Sequence, residues 1–316
     1  MINFRYHVVS LTAIFLALAI GLVLGTAALN GPLSDRLLSE IQSLSNSNSQ
    51  LRDQVAELEE EVNSQEETIQ DLAPLLLDGR LAGQRIALVA MPGAADDELT
   101  AVSQMLDMAD ATIGVQVRFN DRFIDPARNV DLSDLAARLL PERTPPLELP
   151  NESDGVQSSA ALIAAVLVAQ DPPLPAGSGS AVLTGYAEDG MLTYEGDPDT
   201  PVDAFLVVAG EPAVDTNGAE RNAAVLTTVT QLDQAAVTVV ASHGASGEGN
   251  VVAAIRSDSS LVDTMSTVDN VNTTLGQVVT VHTLVQELAG ITGGHYGNGD
   301  GASGPVPQPT DTPTAE

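Results

Sequence analysis

Cysteine, lysine and tryptophan are all absent from this 316-residue chain, and aromatic residues make up only 3% of it. The lack of cysteine excludes disulfides, thiolate metal sites and thiol nucleophiles, but leaves the redox compartment open. The lack of lysine leaves 12 arginines against 43 acids, a net charge of −31. A field of that sign repels phosphate backbones, which argues against nucleic-acid binding, and it repels anionic lipid headgroups. It suits a cationic partner, a cation or a high-salt habitat, and its plainest meaning is a heavily solvated surface. Few aromatics mean a core of Ala, Val and Leu. The apolar fraction of 44% suffices for one, and the length allows about two domains at ~150 residues each.

Charge is also missing from Val8 to Leu29, "VVSLTAIFLALAIGLVLGTAAL". As a helix this stretch is ~33 Å long, enough to cross a bilayer core. Arg5 is the one charge before it, and Asp35 is the first acid after it. The positive-inside rule puts the N-terminus in the cytoplasm and everything after about residue 30 outside. The reading is a single-pass protein of the cell membrane. A cleaved signal peptide competes with it, with Gly25 and Ala27 as the small residues before the cut. The apolar run is longer than the usual ~7–15-residue signal core. "SSAALIAAVLVA" (158–169) is too short for a second span.

The next segment repeats apolar residues at spacings of four and three. The a positions are Ile41, Asn48, Val55, Val62, Ile69 and Leu76, and the d positions are Leu37, Leu44, Leu51, Leu58, Gln65 and Leu72. β-branched residues at a and Leu at d predict a parallel two-stranded coiled coil, and a single Asn48 at a fits register selection in a homodimer. Arg36 and Arg52 are the only bases in residues 30–78, which are rich in acids. Glu61 at g would face Glu66 at the next e position of a partner, and like charges there weaken a homodimer. The alternative partner is a helix with basic e and g positions. Pro74 predicts a helix end or kink.

Beyond Gly79 the pattern becomes α/β. "RIALVAMPG" (85–93), "TIGVQVRF" (112–119), "DAFLVVAG" (203–210) and "AVTVVASHG" (236–244) read as strands. Segments 96–109, 131–141, 158–169, 219–234 and 274–290 read as helices. Alternation of this kind predicts a mainly parallel sheet with helices on both faces. The expected organisation is a transmembrane anchor (1–30), a coiled-coil stalk (31–78), an extracytoplasmic α/β domain (79–296) and a disordered tail (297–316).

Ligands of such sheets bind at the carboxyl ends of strands, here the loops Met91–Ala95, Gly210–Gly218 and Ser242–Asn250. "MPGAADDE" lacks the glycine spacing of a dinucleotide loop, and Asp96, Asp97 and Glu98 occupy the helix start where a phosphate would sit. "SHGASGEG" offers Ser242, His243 and Ser246 without the G-x-S-x-G elbow, so the chain does not read as an enzyme. Met105 and Met108, one helical turn apart, are soft side chains suited to Cu(I) or, more plainly, core fillers. His243, His282 and His295 follow the anchor at spacings that match no local metal motif. In "GGHYGNGDG", Gly294 and Gly297 are expected to let the chain turn, with Tyr296 packed on the body and His295 near the surface.

The opening "FRYHVVSLTAIFLALAIGLVLG", the heptads, "STVDNVNTTLGQVVTV" (266–281) and the closing "GGHYGNG" together resemble the MctB family of actinobacterial copper transport proteins. The likeness runs to about residue 301 and is most specific at the ends. It implies a cell-envelope protein of copper efflux and homeostasis, a family also described as an outer-membrane channel. Related SteB-type proteins imply the alternative of a non-enzymatic coiled-coil scaffold in cell-wall hydrolysis and cell separation. A barrel channel needs alternating strands and aromatic girdles, which five Phe and four Tyr do not supply. Copper is the one cofactor the resemblance implies, with His295, His243, Met105 and Met108 as its candidate ligands.

Overall fold

The computed structural model describes residues 4–29, 32–150 and 154–308. The chain divides into two compact units, Met1–Gln65 and Glu66–Glu316. The first holds helix α1 (Phe4–Leu29) and most of helix α2 (Pro32–Leu77). Phe4–Ala27 is long and apolar enough to cross a membrane, and none of it is buried in the protein. A bilayer is the solvent that suits so many bare Leu, Ile and Phe side chains. Helix α2 continues past Pro74 to Leu77 rather than stopping at it. The proline removes one donor close to the helix end, where few ladder bonds remain to be lost. Asp78 N–H closes the last turn on the Pro74 carbonyl at 3.0 Å.

The second unit, the head, is one seven-stranded sheet. Its strands are β1 (Arg85–Ala90), β2 (Thr112–Phe119), β3 (Leu192–Gly196), β4 (Ala204–Ala209), β5 (Val237–Ser242), β6 (Ser266–Val268) and β7 (His295–Tyr296). The order is β3-β2-β1-β4-β5-β6-β7, and each neighbouring pair is parallel except β2 with β3. β4, and β1 after Arg85, are unbroken apolar runs because both of their faces are covered. Alternate residues take opposite faces: Ile86, Leu88, Leu206 and Val239 go to one core, Val89, Phe205, Val207 and Val240 to the other. The first core is closed by α3 (Asp96–Met108), α9 (Thr274–Leu288) and the end of α2. The second is closed by α4 (Asn129–Leu139), α5 (Gly155–Leu167), α6 (Ser178–Glu188), α7 (Gly218–Ala235) and α8 (Val251–Ser257). The α/β class and the mostly parallel sheet are as the sequence predicts.

Several boundaries differ from expectation. The second compact unit begins at Glu66, inside α2, and so takes in the end of the helix expected to be stalk up to residue 78. Ile69, assigned to the coiled-coil seam, packs against the head core beside the buried Ala73 and Leu77. Leu72 and Leu76 stay about half exposed. The tail expected from 297 is held to the head through Gly304, whose carbonyl accepts from Gly297 N–H at 3.0 Å. Its remaining part, 309–316, lies outside the described residues.

Candidate functional site

The three loops picked out at the strand ends do converge. The chain passes from β1 to β2 on one side and later to β4 on the other, so strand order reverses between β1 and β4. Doubly wound sheets bind ligands where that happens. A cleft of about 290 Å³ opens there, with Met91 and Gly93 on one wall and Glu211, Ala213 and Asn222 on the other.

The walls are braced from within. Asn222 closes on Ala213 twice: its Oδ1 accepts from the backbone N–H at 2.8 Å, and its Nδ2 donates to the carbonyl at 3.0 Å. Arg221 bonds Asp215 at 2.8 Å and also Asp121, tying the β4–α7 loop to the segment after β2. Gly210 must be glycine, since a Cβ would lie 2.3 Å from the Gly93 carbonyl carbon. With Asp121, Glu211 and Asp215 around one doubly paired arginine, the cleft keeps the negative sign of the whole chain.

Beside it lies Glu98 on α3, only 8% exposed, with His243 Nδ1 at 3.5 Å from its Oε1. Burial pushes the Glu98 carboxyl up, His243 pulls it down, and Asp97 and Glu211 push it further up. His243 therefore faces a carboxyl and not Ser242, whose hydroxyl donates to the Gly244 carbonyl at 2.6 Å. No Ser–His pair of the nucleophile–base kind is formed between these two.

The four candidate copper ligands do not come together. His243 ends β5. Met105 is buried between α3 and the sheet, ~10 Å along the helix from Glu98, and Met108 is half-buried one turn on. His295 is on β7, two strands from β5. Among the described residues no group of three His, Asp or Glu side chains is placed to hold a metal ion. These four side chains do not form a preformed copper centre.

His295 is not at the surface either; it is 5% exposed. Its Nε2 lies 2.9 Å from the Val262 carbonyl, which can only accept, so Nε2 carries the proton. Its Nδ1, 2.8 Å from the Thr267 hydroxyl, then accepts. Arg256 Nε donates to that same hydroxyl at 2.9 Å. Both imidazole nitrogens are used within the fold, and no lone pair faces a metal. Burial pulls the His295 pKa down, the Val262 hydrogen bond opposes this, and Arg256 adds to it.

Arg256 and Asp269 are the residues that sequence reasoning missed. Asp269 accepts Arg256 Nη1 at 2.7 Å, Asn298 N–H at 2.8 Å and Gly299 N–H at 3.0 Å. The stretch 266–281 and the GGHYGNG element, which carry much of the family likeness, are thus two halves of one structural lock. Tyr296 packs on the head as expected, its hydroxyl on Gln286 at 3.2 Å.

A family model described as "Copper transport outer membrane protein, MctB" matches residues 1–307. The protein named "Copper transporter MctB" of Mycobacterium tuberculosis (strain ATCC 25618 / H37Rv) is 28% identical over 308 residues, covering 96% of this chain and 98% of its own length. Its namesake in Mycobacterium leprae (strain TN) is 29% identical over 331 residues, covering 98% and 100%. These names give no support to a role in cell separation.

Proposed function

We propose that this chain, which belongs to the MctB family, serves copper transport as a membrane-anchored protein with its acidic α/β head on the extracytoplasmic side. The observation that carries the proposal is the family match over nearly the whole chain, reinforced by full-length relatives named as copper transporters. One apolar helix precedes the head, with Arg5 as its only leading charge, and this supports an N-terminus in the cytoplasm. Copper enters as cargo and not as a resident cofactor. Among the described residues the four candidate ligands do not converge, but the chain's net charge of −31 draws cations toward its surface.

The test is deletion of the gene in its own host, with cellular copper measured under copper load and restored by the full chain. Higher copper and poorer growth in the deletion strain are expected. Unchanged copper content and unchanged growth would overturn the proposal. Protease accessibility of the head in intact spheroplasts tests the orientation, and a protected head would reverse it.

A further inference from the structure

The face of α2 is shared between two uses. From Leu37 to Val62 its apolar a and d side chains stand 52–65% exposed. From Glu66 onward a different face, Glu66, Ile69, Ala73 and Leu77, is committed to the head of the same chain. Ala73 and Leu77 are fully buried there. Glu66, at an e position, does something specific: its Oε2 accepts the backbone N–H of Thr274 at 2.7 Å. That N–H is one of the unpaired donors at the start of α9. The Thr273 side chain takes another, Gly276 N–H, at 3.0 Å.

This bears on which helix can cover the seam. In a parallel in-register pair each g residue faces the next e residue of its partner. The facing pairs are Glu40 with Ser45, Ser47 with Arg52, Gln54 with Glu59, and Glu61 with Glu66. Only the last sets like charges opposite each other. Glu66 is the residue whose carboxylate is turned to Thr274 of its own head. The four pairings then carry no direct clash, and the remaining stalk acids lie on the outer b, c and f positions. Asn48 at an a position also requires an Asn opposite it, which an identical chain supplies.

We propose that a second copy of this chain packs parallel and in register along Leu37–Val62, and that the pairing stops at Gln65 because Glu66 and Ile69 belong to the head. The stalk dimer and the docked helix end thereby share one boundary: extending the pair past Gln65 means releasing Glu66 from Thr274. The proposal does not depend on copper transport, and its test reads assembly alone.

The absence of cysteine makes the test direct. Full-length protein in detergent receives one cysteine at a time: Leu44→Cys, Leu58→Cys, Leu76→Cys, and Glu60→Cys as an outward-facing control. Facing d positions of a parallel pair bring their Cα atoms within disulfide range, so Leu44→Cys and Leu58→Cys should cross-link about tenfold faster than Glu60→Cys. Leu76→Cys should cross-link no faster than the control. Cross-linking at Leu44 and Leu58 no faster than at Glu60, with a monomer by sedimentation of the unmodified chain, would overturn the second copy. Fast cross-linking at Leu76 would overturn the boundary while leaving the dimer. Glu66→Ala provides a second reading: amide exchange at Thr274 should speed up about tenfold with the seam cross-links retained, and unchanged exchange would overturn the capping role of Glu66.

Discussion

Arg256 Nη1 meets Asp269 Oδ2 at 2.7 Å with both side chains almost fully enclosed, at 3% and 2% exposure. Neither charge stands alone. Arg256 also donates to the Tyr296 carbonyl at 2.9 Å and the Asp300 carbonyl at 3.0 Å, while Asp269 gathers the amides of Asn298 and Gly299. A buried pair with its other valences filled organises the segments that meet on it, here the end of β6, helix α8 and the chain after β7.

Removing one partner leaves the other charge buried and uncompensated. Asp269→Ala should therefore destabilise the head by about 3–5 kcal/mol. Residues 295–304 should lose amide protection before the rest of the sheet does. Urea denaturation and hydrogen exchange measure both, and a loss below about 1 kcal/mol would mean that the pair is not structural.

Gly297 tests the same lock by shape. It sits at φ +126, and a Cβ there would lie 2.0 Å from Asp269 Oδ1. Gly297→Ala should cost roughly 1–3 kcal/mol through backbone strain, and more if Asp269 is displaced. Thermal unfolding of the full chain gives the reading, with Gly290→Ala as the comparison: it too has a positive φ, but its Cβ meets nothing within 4 Å.

His295 should matter for stability and not for copper. His295→Ala leaves the Thr267 hydroxyl and the Val262 carbonyl without this partner, at a cost of about 2–4 kcal/mol. The Cu(I) affinity of the full chain should stay within about twofold, since both ring nitrogens are already engaged. The pH sign follows from a folded pKa below the ordinary 6.5. As pH falls through 6.5 the unfolded chain takes the proton first, so the stability from neutral His295 is lost on acidification. Titration of stability in the wild type, set against His295→Ala, should show that loss only in the wild type.

The parts legible in the sequence are those with a period or a long run. The anchor, the heptads, and strands β1, β2, β4 and β5 announce themselves because each carries a repeating or continuous apolar set. What escaped is short or locally atypical. β6 has three residues and β7 two, while α6 holds Gly179 and Gly185 inside a helix because close neighbours leave no room for a Cβ. The switch-point loops were identifiable as strand ends, but Asn222 and Arg221 lie on a helix and reach back to them only in the fold. Asp269 and Arg256 meet across 13 residues with no motif between them. Where Gly294 and Gly297 are expected to turn the chain, His295–Tyr296 forms strand β7, with a positive φ at Gly297 and none at Gly294. The surface position expected for His295 is not found, because β6 supplies the Thr267 hydroxyl and covers the ring.

Gly210 tests the cleft. Its Cβ-free approach to Gly93 holds the β1 and β4 loops together at the switch point, so Gly210→Ala forces the two walls apart. The expected loss is about 1–3 kcal/mol, from a clash against backbone that cannot rotate away. Asn222→Ala should instead loosen the loop at Ala213 at a cost of roughly 1–2 kcal/mol, with the strands intact. Exchange at the Ala213 amide separates the two: faster in Asn222→Ala with β4 protection retained, whereas Gly210→Ala should disturb the ends of β1 and β4 as well.

The last prediction concerns the opposite end of the sheet, where β5 and β6 begin. Asp233, near the end of α7, has its carboxyl pushed up to about 7, first by burial and then by the charge of Glu287 on α9. Glu287 is itself pushed up by burial, and its Oε1 has no hydrogen-bond partner among the described residues. The ordinary value for Asp233 is 3.8, so between that and about 7 the folded chain keeps a proton that the unfolded chain has released. Its contribution to stability is therefore full at low pH and is lost as pH rises through about 7. Asp233→Asn holds the neutral form at every pH. It should stabilise the head at about pH 8 by roughly 1–2 kcal/mol, a value reduced for the partial exposure of the carboxyl. At about pH 5, still above the ordinary 3.8, the difference from wild type should fall to roughly half or less, and it should vanish only below 3.8. Urea unfolding of both proteins at the two pH values decides it. Because Glu98 and Glu287 titrate in the same direction and His295 in the opposite one, only the difference between variant and wild type carries the test. A variant less stable than wild type at the higher pH would show that the charged form of Asp233 is held by a partner and not opposed by burial.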